Sequence, residues 1–215
     1  MTKGAALQRS CVLSPPSAYT NNDPVNNTDP TGLCVDAANA TSSTRSTQIC
    51  QPATSLDTSQ DGKDAVENNE NGSQGPRLTV YKDTAGNDTV GTGHKVTPAD
   101  NLQTGQTITQ TQSDTLFDGD IQTAETTVEN LVGNLPVSQE EFDALVDLAF
   151  NVGAGNLDAT NSPGLNAAIA AGNYGAIANE LVYTKDSNGV RQPGLVKRSQ
   201  RRQNIFRNGN YRRVP

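Results

Sequence analysis

Histidine occurs once in this chain, at His94, and cysteine three times, at Cys11, Cys34 and Cys50. A single imidazole excludes an HExxH zinc protease, and without a CxxC pair there is no zinc constellation to assemble. A Ser-His-Asp triad would have to use His94, yet no GxSxG elbow is present to carry its serine. Gly91 and Gly93 in VGTGHKV lack the third glycine of a dinucleotide fingerprint, and no Walker lysine-serine follows a suitable glycine pair. Aromatic residues make up only 4% and apolar residues 33%, and mean hydropathy is −0.60. Part of the chain is therefore expected to lie outside any core. A net charge of −7 argues against nucleic acid as the main partner, because phosphate binding draws on Lys and Arg. No apolar run approaches a membrane span, and MTKGAALQRSCVLSPPSA lacks the apolar stretch of a secretory leader.

The remaining pattern divides unevenly. Residues 1–62 are rich in Asn, Thr, Ser, Asp and Pro with almost no apolar period, and read as linker or as a fragment of something larger. Cys34 and Cys50 could pair in an oxidising compartment; free thiols are the alternative. From Lys63 the pattern changes. A short helix over residues 63–70 is expected to precede a turn-rich β region, with RLTVY and DTVGTGH as strands. Leu116, Phe117, Ile121, Ala124, Val128 and Leu131 then recur at helical spacing. Ser138 and Glu141 form a capping box ahead of a helix whose apolar face carries Phe142, Leu145, Val146, Ala149 and Phe150. Two short helices around Gly172 and a basic helix in PGLVKRSQRRQNIF complete an α+β reading: a small β lobe, then a larger helical lobe.

With metal, nucleotide and triad chemistry set aside, carboxylates remain. Two acids across a cleft can cut a glycosidic bond, one protonating the leaving oxygen and the other activating water or attacking carbon. The segment RLTVYKDTAGNDTVGTGH resembles the active-site hairpin of phage-type (T4-like, glycoside hydrolase family 24) lysozymes, in which an Asp and a Thr stand six residues apart. Asp83 and Thr89 match that spacing. FDALVDLAFNVGAGN resembles the family's central helix and PGLVKRSQRRQNIF its last long helix. The resemblance implies a lysozyme-like fold without a cofactor. It also implies a water-activating role for Asp83, a water-holding role for Thr89 and a structural role for His94 at the strand end.

The family's general acid is a glutamate about nine residues before the Asp, and here that position is Gln74, within QGPRL. Reading from the helix side, SQDGKDAVENNENG resembles the family's first helix and puts Glu70 at its end, with NGSQGP inserted before the strand. Glu70 is the preferred acid, Glu67 the alternative, and a dead site the third possibility. Glu125, Glu129, Glu140 and Asp147 are expected to be solvated surface carboxylates, and Lys197, Arg198, Arg201 and Arg202 a solvated basic face that could also attract an anionic cell wall.

The front of the chain, SAYTNNDPVNNTDPTGLC, resembles the end of the core of Rhs-family polymorphic toxins, through Pro24, Asp29, Pro30, Gly32 and Leu33. The expected organisation is an Rhs remnant over residues 1–33, a polar linker over 34–62 and a lysozyme-like muramidase domain over 63–215. Together the two resemblances imply an antibacterial effector carried by a leaderless route, inside an Rhs cage or secretion carrier, into the periplasm of a target bacterium. There it would cut peptidoglycan and meet an immunity protein in cells that make it. Two other readings stay open: a non-catalytic wall-binding module, if Gln74 occupies the acid position, and a lytic transglycosylase, against which Asp83 and Thr89 count.

Overall fold

The computed structural model describes residues 50–83, 85–185 and 189–212. The Rhs-like motif, Cys11 and Cys34 lie outside the described residues. Cys50 is disulfide-bonded, and its expected pairing with Cys34 falls outside them as well.

The fold is lysozyme-like, a helical majority with one small antiparallel sheet. Packing extends upstream of Lys63. Gln51 pairs with Val137, and Ala53 and Leu56 are buried in the main core. Helix α1 spans Gln60–Asn71, capped by the Ser59 hydroxyl, which accepts the Gly62 N–H at 3.0 Å. It stops at Gly72, whose φ of 62° suits only glycine without strain. The five residues GSQGP then lead into the sheet.

Strands β1 (Arg77–Lys82), β2 (Asp88–Gly91) and β3 (His94–Lys95) form a meander in sequence order. Tyr81 lies opposite Thr89, and Val90 opposite His94. Alternation puts Val80 and Val90 inward, where Ile108 joins them in a small core of the β lobe.

Helix α2 (Gln110–Val132) buries Phe117, Ile121, Ala124, Val128 and Val132, one stripe at helical spacing. Helix α3 (Gln139–Val152) opens on the expected capping box: Ser138 Oγ accepts the Glu141 N–H, and Glu141 Oε2 accepts the Ser138 N–H. Every residue from Glu141 to Ala149 is buried, so this helix has no solvent face over those turns. Helices α1, α2 and α6 (Pro193–Asn208) surround it. The pair α4 (Pro163–Ala170) and α5 (Tyr174–Glu180) turns at Gly172 and closes the helical lobe.

Two expectations about charged residues are overturned. Arg198, Arg201 and Arg202 are buried, so α6 presents them to the protein interior and leaves Lys197 exposed. Asp147 is buried between Arg198 and Arg202 rather than solvated. Glu125 too has protein partners, since its Oε1 accepts the N–H and the hydroxyl of Thr58, both at 2.7 Å.

Candidate active site

Asp83 ends the first arm of the β1–β2 hairpin, and the turn itself orients it. Its Oδ1 accepts the N–H groups of Ala85 and Asn87, at 2.9 and 2.8 Å, and its Oδ2 accepts Asn87 Nδ2 at 3.0 Å. An Asp that accepts from the residue two positions on is a standard turn former, which explains the local sequence DTAGN. Donation from the Asn87 side chain, then from the two N–H groups, holds the Asp83 carboxyl below its ordinary value. It is therefore a carboxylate at neutral pH. Across the hairpin Thr89 is buried, and its hydroxyl makes a long contact, 3.5 Å, to the Asn87 carbonyl. A contact that long leaves the hydroxyl able to hold another group.

Glu70 lies in the last turn of α1 with its side chain 24% exposed. Arg198 Nη1 donates to Glu70 Oε1. Its other oxygen lies against the β2–β3 turn, where a Cβ built on Gly93 would stand 3.0 Å from Oε2. Gly93 also has φ +76°, so this glycine is required twice, by the turn and by the carboxylate beside it. The neighbouring Asn71 donates to Thr92 Oγ1 at 2.9 Å and pins the helix end to the same turn. Glu70 is thus brought to the β2–β3 turn of the small sheet, while Asp83 stands in the β1–β2 turn at the other end of β2.

Glu67, one turn earlier, faces α2. Burial first, then Asp64, Asp114 and Asp118, raise its pKa. A raised pKa suits a proton donor, but a donor must first reach the bond it cleaves. The contacts made by Glu70 place that residue, not Glu67, at the β2–β3 turn. Gln74 is exposed in the connector between α1 and β1 and is not part of the helix end.

An open cleft of ≈ 580 Å³ runs beside Glu70, lined among others by Asn68, Asn151, Gln192, Lys197 and Arg198. On the hairpin side a second hollow of ≈ 320 Å³ is lined by Gly93, Lys95, Asp120, Phe150 and Ala154. Glu70 lines the first and Gly93 the second. Polar side chains with one aromatic surface suit a hydrophilic, ring-shaped ligand.

A family model described as phage lysozyme matches residues 71–202. The chain belongs to the phage lysozyme family. An endolysin of Acyrthosiphon pisum secondary endosymbiont phage 1 is 34% identical over 137 residues, covering 62% of this chain and 88% of the relative. The endolysin of Bacillus phage B103 is 32% identical over 126 residues, which span 59% of this chain but only 45% of that relative. Among solved structures, the endolysin from Escherichia coli O157:H7 phage FAHEc1 superposes with a TM-score of 0.61 at 26% identity, over 74% of this chain and 98% of that one. The molecule is a lysozyme-type glycoside hydrolase. The matched span begins one residue after Glu70, so the case for that residue in this phage lysozyme rests on the geometry above.

His94 of the lysozyme domain bridges two acids. Its Nδ1 lies 2.9 Å from Asp120 Oδ2 on α2 and its Nε2 3.3 Å from Asp100 Oδ2. The hydrogen bond with Asp120 raises its pKa above the ordinary value; burial opposes this and Asp100 adds to it. The imidazole thus ties the β lobe to α2, the structural place expected for it.

The sequence reading missed the network behind Glu70. Arg198 Nε and Nη2 both donate to Asp147 Oδ1, at 3.1 and 2.9 Å, while Arg202 Nε donates to Asp147 Oδ2 at 2.7 Å. Asn69 Nδ2 donates to Asp147 Oδ1 at 3.1 Å. Burial alone would raise the Asp147 carboxyl, but the charges of Arg198 and Arg202 outweigh it and hold the group well below the usual range. The signal for this network was legible. Arg198, Arg201, Arg202 and Ile205 recur at steps of three, one and three on α6, the spacing of a core-facing stripe.

Proposed function

We propose that this lysozyme domain hydrolyses the β-1,4 bond between N-acetylmuramic acid and N-acetylglucosamine in peptidoglycan. Glu70 protonates the leaving oxygen, Asp83 activates water and Thr89 holds that water. The observation that supports this most is the contact of Glu70 with the β2–β3 turn at Gly93, which ties the proposed acid to the sheet that also carries Asp83 and Thr89. The ionised state of Asp83 suits the water-activating role. The long contact of the Thr89 hydroxyl to the Asn87 carbonyl suits the holding role. By the family resemblance, water attacks directly and the configuration at carbon inverts.

Purified peptidoglycan incubated with the natural chain, Glu70→Gln and Asp83→Asn tests the assignment. The natural chain is expected to clear the wall and release reducing ends, and each variant to lose activity by at least about 10²-fold while still folded. Full clearing by Glu70→Gln would transfer the acid role to Glu67. Anhydro-sugar ends would mark a lytic transglycosylase, and wall binding without clearing by the natural chain would mark a binding module.

The finer biological reading is an antibacterial Rhs-type effector that acts in the periplasm of a target cell and is countered by an immunity protein. Its support is the sequence motif at Pro24, Asp29, Pro30, Gly32 and Leu33, together with the disulfide of Cys50, which suits an oxidising compartment. Expression in a sensitive bacterium with and without an appended export leader tests it. Lysis is expected only with export, and equal toxicity from the cytoplasm would remove the reading.

A further inference from the structure

A general acid that touches an arginine has an electrostatic difficulty. The Arg198 guanidinium stabilises an ionised Glu70, whereas protonation of a leaving oxygen requires the carboxylic acid. Arg198 is only 7% exposed, so solvent does little to screen its charge. Something in the protein has to offset it.

The offset lies on the far side of the guanidinium. Arg198 turns Nε and Nη2 to Asp147 and leaves Nη1 for Glu70. Asp147 in turn is held by Arg202 Nε and Asn69 Nδ2, so its carboxylate has a fixed orientation. Arg202 is anchored by donation to the Leu181 carbonyl at 3.3 Å and to Asn151 Oδ1 at 3.1 Å. The result is a row that runs from the partly exposed Glu70 to the buried Arg198, Asp147 and Arg202, alternating in sign from the cleft inward. We propose that Asp147 is a positioning residue for Glu70: through Arg198 it fixes the one guanidinium nitrogen that meets the acid and offsets the positive charge that would otherwise keep the acid ionised. The inference rests on the general-acid assignment of Glu70 made above.

The charged groups around Glu70 are few and can be named by element. From α6 come Arg198, with Lys197 and Arg201 lining the same cleft. From α3 comes Asp147, behind Arg198. The β2–β3 turn offers Thr92 and Gly93, neither charged. Asp83 stands in the β1–β2 turn and Lys95 on β3, and α1 itself contributes Glu67, one turn earlier, with the neutral Asn68 and Asn69 beside the acid. Among the described residues Asp147 is the carboxylate bonded directly to the arginine that touches Glu70, whereas Asp120 lies beyond Gly93, where it meets His94.

The row predicts opposite effects for its two inner members. Asp147→Asn removes the negative charge and leaves Arg198 and Arg202 in place, which favours the ionised acid. The alkaline limb of the peptidoglycan-hydrolysis rate profile is expected to move down by about one pH unit, a roughly tenfold loss of kcat above the limb. KM should stay within about twofold. Arg202→Gln removes a positive charge while Arg198 keeps Asp147, so the limb is expected to move up. A residue that merely supported the fold would not displace the limb in two directions. If Asp147→Asn does not fold, Arg202→Gln alone decides, since an unmoved or lowered limb in that variant overturns the inference. Limbs that coincide with the natural chain in both variants overturn it as well. Glu70→Gln, run in parallel, separates the two levels: full activity there removes the general-acid assignment itself, whereas a dead Glu70→Gln with unmoved limbs removes only the role of Asp147.

Discussion

Replacing Gly62 by alanine puts two physical effects in direct conflict. Gly62 lies in the first turn of α1, and helix propensity alone favours the change by up to about 1 kcal/mol. The space available argues the other way. A Cβ at Gly62 would stand 2.6 Å from Asp143 Cγ and 2.9 Å from each of its carboxylate oxygens. Asp143 has nowhere to go. It is buried and accepts hydrogen bonds from Ser59 N–H at 3.0 Å, from Ser59 Oγ, from Gln139 Nε2 at 3.0 Å and from Tyr211 Oη at 2.6 Å.

Accommodating the methyl means moving α1 or breaking one or two of these bonds. Hydrogen bonds to a charged group are worth about 1.5–3 kcal/mol each, and overpacking costs about 1–3 kcal/mol. Sterics therefore win, with a net loss of about 2–4 kcal/mol, or roughly 5–12 °C in thermal midpoint for a domain of this size. Gly119→Ala is the control. It sits inside α2 with nothing near the added methyl, and should raise the midpoint by roughly 2–4 °C. In an Asp143→Ala background the cost of Gly62→Ala should disappear, as a double-mutant cycle on denaturant unfolding would register. Stabilisation by Gly62→Ala comparable to that of Gly119→Ala would refute the steric reasoning.

His94 has a raised pKa in the folded state, so its contribution to stability is complete below its unfolded value near 6.5 and fades as pH rises through the folded value. Asp120→Asn should therefore lower unfolding free energy at pH 5.5 more than at pH 8.5, as chemical denaturation at the two pH values would measure. Gly93→Ala adds a methyl at 3.0 Å from Glu70 Oε2 and at φ +76°. Wall-clearing rate should fall at least about tenfold, with only about 1–2 kcal/mol lost in unfolding free energy. Tyr211→Phe removes one donor from the buried Asp143 and should cost about 1–3 kcal/mol in denaturant unfolding while leaving the clearing rate per folded molecule unchanged.

The local signals in this sequence were faithful where the physics is local. The Ser138–Glu141 capping box, the stripe from Phe117 to Val128 and the turn at Gly172 each depend on residues within a few positions of one another, and each is present as read. Asp83 and Thr89 were legible for the same reason, since one hairpin carries both. Glu70 was harder, because it meets the hairpin only through a tertiary contact and the inserted NGSQGP breaks the spacing on which a motif depends. The charged residues of α3 and α6 were misread because composition favours the surface for Asp and Arg, while placement here is decided by partners 51 and 55 positions away. One feature of α3 could have overruled composition. Its apolar residues, Phe142, Ala144, Leu145, Val146, Leu148, Ala149 and Phe150, cover most of its circumference and leave only the narrow stripe of Glu140, Asp143, Asp147 and Asn151, so most sides of the helix need packing partners. Asp143 and Asp147, four apart on such a helix, must then find donors inside the protein. For Asp147 the α6 stripe in which arginines occupy core-facing positions offers them, while Asp143 takes Ser59, Gln139 and Tyr211. Two anomalies that look separately like surface charge are, taken together, a prediction of buried ion pairs behind the site.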